Sequence, residues 1–435
     1  MLARIKKLAF EYEEDTISMR RNLHKYAETG WTVYRTASLV AKTLSGLGYQ
    51  VFTGSEVIDE EAMMGVPSSL ELERHEKRAL AQGADPFWLG KMIGGKTGVM
   101  GVMDFGKPGP TVGLRFDMDA NDLTEAEDEA HRPYNEGFAS INKGAMHGCG
   151  HDGHTAIGIT VARILSQVKD NLSGKVKLLF QPAEEGVRGA KAMMMAGVVD
   201  DVDYMLGFHL GFILRKLGQI STDAGGFLAT TKLDANFTGK PSHAGLAPEI
   251  GKNALLAAAT ALINLYAIAR HGKGTSRINV GIMQGGTGRN VIPANAVLKL
   301  ETRGITSEIN EYMHSAAVRI IKGSAAMHDV KVLLEEMGSA AGTSSDFALG
   351  ERARRIAKEL DLFDEFLPQV DLGGSEDVAY FMSRVQERGG QAAYAIIGTE
   401  ISAGHHESRF DFNEDALRKA VSYVAGVTTD LLTDS

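Results

Sequence analysis

Between His147 and His154 the chain reads HGCGHDGH, so three histidines, one aspartate and the single cysteine fall within eight residues. Glycines separate them and leave the backbone free to bend closely around whatever the side chains hold. Cys149 and His151 are two apart, which in an extended segment puts both on one side. Imidazole, thiolate and carboxylate groups are the usual ligands of zinc and its neighbours, so this cluster reads as a metal site. A second element, Gln181-Pro182-Ala183-Glu184-Glu185-Gly186, directly follows the apolar run KVKLLF. Adjacent carboxylates at a strand end can divide the work: one ligates a metal while its neighbour takes a proton from water. His209 closes the run YMLGFH, and His405-His406 follow AAYAIIGT. Together these residues offer enough N, O and S ligands for two metal ions. His154 reads as a residue that caps or orients, and His147 as either loop or support.

Two motif matches fail on physical grounds. Residues 90–97 satisfy the P-loop expression, but a charged helical segment precedes them and a strand follows. A phosphate cradle needs the reverse order. The run from Asp117 to Asp128 starts like an EF-hand, yet it has Asp122 where the turn needs glycine and lacks the final glutamate.

The elements that must position these residues follow from hydrophobic periodicity. Residues 11–48 read as a helix, 49–53 as a strand, and 54–98 as an acidic, methionine-containing stretch. Strand-like runs at 97–105, 111–116, 175–180 and 204–209 surround a helix predicted from His154 to Val168. This alternation predicts an α/β catalytic domain with a mixed, mostly parallel sheet between helices. Residues 230–336 have a different pattern: strand, helix, two strands, helix, strand. That is the ferredoxin-like α+β order, expected as a domain of residues 226–338 inserted between 1–225 and 339–435. A helix near 351–359, a turn at 373–377, a strand at 392–398 and a final helix at 415–432 complete the outer pattern.

Composition narrows the function. Forty-six basic against 55 acidic residues give a net charge of −9, which disfavours nucleic acid as a partner. One cysteine forms no internal disulfide and suits a reducing compartment. The longest apolar stretch, residues 254–269, is shorter than the ~20 residues that span a bilayer. The N-terminus lacks an apolar signal core. The expectation is a soluble, cytoplasmic protein with no membrane partner.

In order along the chain, the segments MHGCGHDGHT, FQPAEEG, FHLG, GKPSHAG, RNVIPA and AGHHESRFDF resemble the amidohydrolase branch of the aminoacylase and carboxypeptidase metallopeptidases. The resemblance runs from RRNLHKYAETG at residue 20 to FDFNEDAL at residue 410. It implies a dinuclear site held by Cys149, His151, Glu185, His209 and His406, with Cys149 in the place of a bridging aspartate. His406 is preferred to His405 because it stands four residues before Phe410. Glu184 matches the general base and acid, while Asp117 and Asp152 match supports behind the ligands. On the inserted domain, a lid and dimerisation domain in this branch, His243 resembles a histidine that reaches the active site of a neighbouring protomer. Asn290 and Arg303 correspond to positions that hold the substrate's amide and carboxylate, and Arg289 is either a solvated charge or a substrate-binding cation for a glutamate side chain. Residues 52–98, FDMDANDL and GHHE point within the branch to p-aminobenzoyl-glutamate, split into p-aminobenzoate and glutamate. The alternatives are a general hippurate-type amidase and a non-catalytic metal-binding subunit. The resemblance leans to two Mn ions, whereas a thiolate favours Zn. The implied partners are a second copy of the chain or a paralogous subunit.

Overall fold

The structure, a computed structural model, describes residues 1–433. Its strands in chain order are β1 Gln50–Thr53, β2 Val99–Asp104, β3 Thr111–Asp117, β4 Lys175–Gln181, β5 Tyr204–Leu210, β6 Gln219–Ser221, β7 Ala229–Thr238, β8 Ser276–Gly285, β9 Asn295–Gly304, β10 Lys331–Ala340, β11 Glu365–Phe366 and β12 Gln391–Ile397. They form an eight-stranded sheet, β1-β2-β4-β3-β5-β12-β6-β11, and a four-stranded sheet, β10-β7-β9-β8. The first lies in a unit of residues 1–225, 344–372 and 377–435, and the second in a unit of residues 226–343 and 373–376.

The centre of the large sheet, β4-β3-β5-β12, is parallel, and antiparallel pairs flank it. Every residue of β3, TVGLRFD, is buried, as expected for a central strand covered on both faces. Arg115 is tolerated there because its guanidinium meets Asp117 and Asp377. The helices His151–Val168 and Asp415–Thr433 bury apolar faces in the core with Phe116, Phe180 and Leu417. Ligands of open α/β sheets gather at the carboxyl ends of parallel strands. Here those ends are Asp117, Gln181, Leu210 and Ile397.

In the smaller unit, helices Ala254–Tyr266 and Ser307–Met327 connect the strands in β-α-β-β-α-β order. Their apolar faces pack on the sheet around Leu298, Ala258 and Met313. The fold is therefore the α/β sheet plus ferredoxin-like insertion that the sequence pattern predicts.

Two local expectations need correction, and a third gains detail. The single helix expected over 11–48 is two helices, Glu13–Lys25 and Tyr34–Gly46, separated by a buried 3₁₀ turn at Gly30–Thr32. Glu28 caps the second: its carboxylate accepts the Arg35 and Thr36 amides at 3.2 and 2.9 Å. The long helix starts at His151, not His154, directly after Gly150 at φ +95°. Cys149 and His151 therefore meet across a helix-starting turn and not along an extended segment. Within 54–98 lies a helix, Ser69–Ala81, opened by a reciprocal Ser68–Glu71 capping box. The 90–97 decoy is a 3₁₀ turn, Ile93–Gly95, leading into β2, so no helix N-terminus is there to receive phosphate.

Candidate metal centre

At the carboxyl ends of the parallel strands, three groups of side chains converge. Ligand atoms of Cys149, His151 and His209 lie within 4.8 Å of one another, as do those of Cys149, Glu185 and His406, and those of His151, Glu184 and Glu185. Cys149 belongs to the first two sets, so a single thiol stands between two potential ion positions.

Hydrogen bonds fix which atoms face this centre. The Nδ1–H of His209 donates to the Leu210 carbonyl at 2.8 Å, leaving Nε2 turned toward Cys149 Sγ at 3.4 Å. The Nδ1–H of His151 donates to the Asp119 carbonyl at 2.8 Å, and its Nε2 is buried without a hydrogen-bond partner. Glu185 Oε1 is likewise buried without one, 3.5 Å from His406 Nε2. Orphaned buried acceptors are rare and demand an explanation; a divalent cation supplies one. Imidazole nitrogens with lone pairs inward, a thiol and a carboxylate form a donor set that suits such ions.

Electrostatics agree with that fit. Burial, reinforced by Glu185, pushes the Cys149 thiol up to about 12; a nearby cation reverses that effect and yields the thiolate. Burial and the adjacent His154 and His405 hold His209 well below the usual imidazole range, hence neutral. His151 goes the other way: burial opposes its charged form, but Asp117 and Asp119 outweigh burial and raise it. The same carboxylates attract a metal cation in place of that proton.

Of the remaining expected residues, Asp117 accepts from His154 Nδ1 at 2.6 Å and pairs with Arg115. It stands 3.7 Å from His151 Nε2, and Arg115 helps keep it well below the usual carboxylate range despite its burial. His154 Nε2 accepts the Leu210 amide at 3.1 Å, so both its nitrogens are occupied by protein. Asp152 binds Arg20 and His24 at 2.8 and 2.7 Å. His405 packs its ring on Phe410, with centroids 4.8 Å apart, while His406, at φ +64°, joins the Cys149–Glu185 group. Both nitrogens of His147 are buried without hydrogen-bond partners, and burial drops it to about 3.

One residue escaped the sequence reading. Asp119 accepts the Glu184 and Glu185 amides on its two carboxylate oxygens, at 2.9 and 3.0 Å, while its own carbonyl holds His151. It clamps the base candidate and two ligand candidates at once. Its position two residues beyond Asp117, just past the end of β3, was the available signal.

The smaller unit carries the other expected residues. His243 Nδ1 accepts the Gly245 and Leu246 amides, both at 3.2 Å, which fixes the proton on an outward Nε2. Asn290 is its neighbour: the Ala244 amide donates to the Asn290 carbonyl at 3.0 Å. Arg289 is exposed. Arg303 sits near the far end of β9, in an ion pair with Glu301 at 2.9 Å. Eight strand residues from Asn295 amount to roughly 25 Å, so one copy of this unit does not bring Arg303 and the His243–Asn290 pair together.

Residues 113–430 match the model of peptidase family M20/M25/M40. The chain belongs to this family. It is therefore an enzyme of a group of dinuclear metal peptidases and amidohydrolases. A component of p-aminobenzoyl-glutamate hydrolase from Escherichia coli (strain K12) is 48% identical over 407 residues, covering 93% of each chain. Indole-3-acetyl-aspartic acid hydrolase from Enterobacter agglomerans is 49% identical over 410 residues, again 93% of each. Among solved structures, an aminobenzoyl-glutamate utilization protein from Klebsiella pneumoniae superposes with a TM-score of 0.84 at 40% identity, covering 98% of both chains. Among the described residues no helix is long and apolar enough to cross a membrane.

Proposed function

We propose that the chain hydrolyses the amide bond of an N-acyl or N-aroyl acidic amino acid, with p-aminobenzoyl-glutamate as its substrate. The observation that carries this reading is the placement of Glu184, whose Oε2 lies 4.0 Å from His151 Nε2 at the edge of the ligand cluster. A site that only stored metal has no use for a second glutamate clamped there. Cys149, His151, Glu185, His209 and His406 would hold two divalent ions, Mn or Zn, backed by Asp117 and Asp152. When bound, such ions supply Lewis acidity and make water a nucleophile near neutral pH.

The chain's own groups do the rest. Glu184 takes a proton from the attacking water as oxygen bonds to the acyl carbon, and returns it to the amine nitrogen as the C–N bond breaks. His243, with its proton fixed on Nε2, donates to the developing oxyanion. Asn290, Arg289 and Arg303 receive the amide and the α-carboxylate. His243–Asn290 and Arg303 stand at opposite ends of one sheet, and this supports a homodimer in which a neighbouring copy supplies His243. Apolar exposure at that sheet's edge agrees: Ile282 on β8 is 47% exposed and Ile263 on the adjacent helix 73%. The other arrangement to test is a paralogous subunit on the same edge.

The assay is release of p-aminobenzoate from p-aminobenzoyl-glutamate by the metal-loaded chain, abolished by chelator. Absence of release with metal bound overturns the substrate. Indole-3-acetyl-aspartate in parallel ranks the second reading, which the 49% relative supports.

A further inference from the structure

Four residues past Glu184, the side chain of Arg188 folds back over the catalytic turn. Its Nε–H donates to the Glu185 carbonyl at 2.9 Å and Nη1 donates to the Gly65 carbonyl at 3.2 Å. A Cβ on Gly30 would lie 2.8 Å from Nη2, so the guanidinium lies flat against a glycine, its orientation fixed from three directions. Arg20, Arg115 and Arg78 each face a carboxylate. Arg188, half-buried, has no carboxylate within 4.0 Å and no hydrogen bond to Nη2 among the described residues. A partly desolvated guanidinium with no carboxylate in contact, felt only at longer range by Asp119 and already aligned by two carbonyls, is an unfilled carboxylate receptor. The exposed Arg289, in contrast, has no hydrogen bond among the described residues to orient it.

Gly65 belongs to the stretch after β1, whose backbone packs near this turn. Residues 59–65 are tied to three neighbours: the Asp59 amide donates to the Ala192 carbonyl on the helix Ala190–Met195 at 3.0 Å, Trp31 Nε1 to the Met64 carbonyl at 2.8 Å, and Arg188 Nη1 to the Gly65 carbonyl. Arg188 thus bridges this stretch and the Glu185 turn.

We infer that Arg188 is the specificity residue that binds the side-chain carboxylate of the substrate's acidic amino acid. The inference rests on the amidohydrolase reading but goes beyond it, because the α-carboxylate has its own candidates on the smaller unit. The test compares three substrates with one acyl group: the glutamate, glutamine and glycine conjugates of p-aminobenzoate. The expected result is that the unaltered enzyme prefers glutamate over glutamine in kcat/KM by about 10- to 100-fold, the range for a charge-assisted hydrogen bond. Arg188→Met should collapse that ratio to near one, mainly through KM, with the loss on the glutamate conjugate far exceeding that on the glycine conjugate. Arg188→Lys should restore part of the preference. A ratio unchanged in Arg188→Met, or an equal loss on all three conjugates, overturns the inference and leaves Arg188 as a fastener of the Glu185 turn. Calorimetry with L-glutamate and L-glutamine separates this from failure of the functional reading. If no conjugate turns over but glutamate binding still depends on Arg188, the functional reading falls and Arg188 is kept only as a receptor for a side-chain carboxylate. If binding is indifferent to Arg188, the inference falls.

Discussion

The metal centre and the candidate substrate-binding part of the inserted unit are built on opposite plans. At the centre, candidate residues from β5, the turn after β4 and the start of the helix His151–Val168 converge, held by short hydrogen bonds: His151 by Asp119, His209 by Leu210, Glu184 and Glu185 by the Asp119 carboxylate. On the inserted unit, His243, Asn290 and Arg289 are exposed and Arg303 sits near the far end of β9. The first region is finished within one chain; the second is a set of parts. Preorganised electrostatics must be rigid before the reaction starts. Groups that close over a substrate must stay apart until it arrives.

The comparison breaks most directly at Glu184. Glu184→Gln keeps the shape and removes the base, so kcat should fall by about 10⁴-fold, the upper end of general acid–base catalysis. Metal content, measured by atomic emission, should stay at the unaltered level. Activity that survives this change removes the finished-centre half of the comparison. Next comes His243→Ala, expected to lose about 10²- to 10³-fold in kcat as one oxyanion donor disappears. If a neighbouring copy supplies His243, mixing the two inactive variants should restore about one quarter of the activity, because half the dimers are hybrid and each has one intact site. No recovery after exchange of protomers places His243 in its own chain's reaction or in none.

Asp119→Asn tests the clamp. An amide has one acceptor oxygen, so one of the two catalytic amides loses its partner. Loss of such a ligand support typically costs about 10- to 100-fold in activity or metal affinity. The signature is a shift in the metal concentration that gives half activity, which Glu184→Gln should not produce.

How much of this could be read from residues alone follows the same division. The candidate cluster was legible because cysteine, histidine and glutamate crowd into short motifs, and the sheet because β3, β4 and β5 are near-continuous apolar runs. Asp119 was marked only by its place two residues past Asp117, since the backbone amides its carboxylate serves lie 65 and 66 residues away. The break at Gly30 was hidden because apolar residues on both sides keep helical spacing; only the tertiary role of Glu28 reveals it. Strands β6 and β11, of three and two residues, are too short to carry a period. Arg188 meets Gly65 across 123 residues, a contact that only the fold creates. The separation of Arg303 from His243 needed the register of β9, which places it beyond sequence motifs altogether.

The smallest effect concerns the charge network that supports the centre from behind. His24, fully buried, sits between Asp152 at 2.7 Å and Glu125 at 2.9 Å, and Glu125 also binds His131 at 2.8 Å. Burial disfavours the imidazolium, but the two carboxylates win and raise His24 from 6.5 to about 9. A group whose folded-state pKa is raised stabilises the fold fully below its unfolded value and loses that contribution as pH climbs through the folded one. The window is therefore pH 6.5 to about 9, and the contribution lost across it is on the order of 3 kcal/mol at most. Melting temperature should decline over this window in the unaltered chain. In His24→Gln the starting stability should be lower and the slope nearly flat. Equal slopes in the two proteins would mean that His24 is neutral between its carboxylates. Asp152, one residue from His151, would then be charged against Arg20 alone, and the centre would owe its rigidity to Asp119 rather than to the network beneath it.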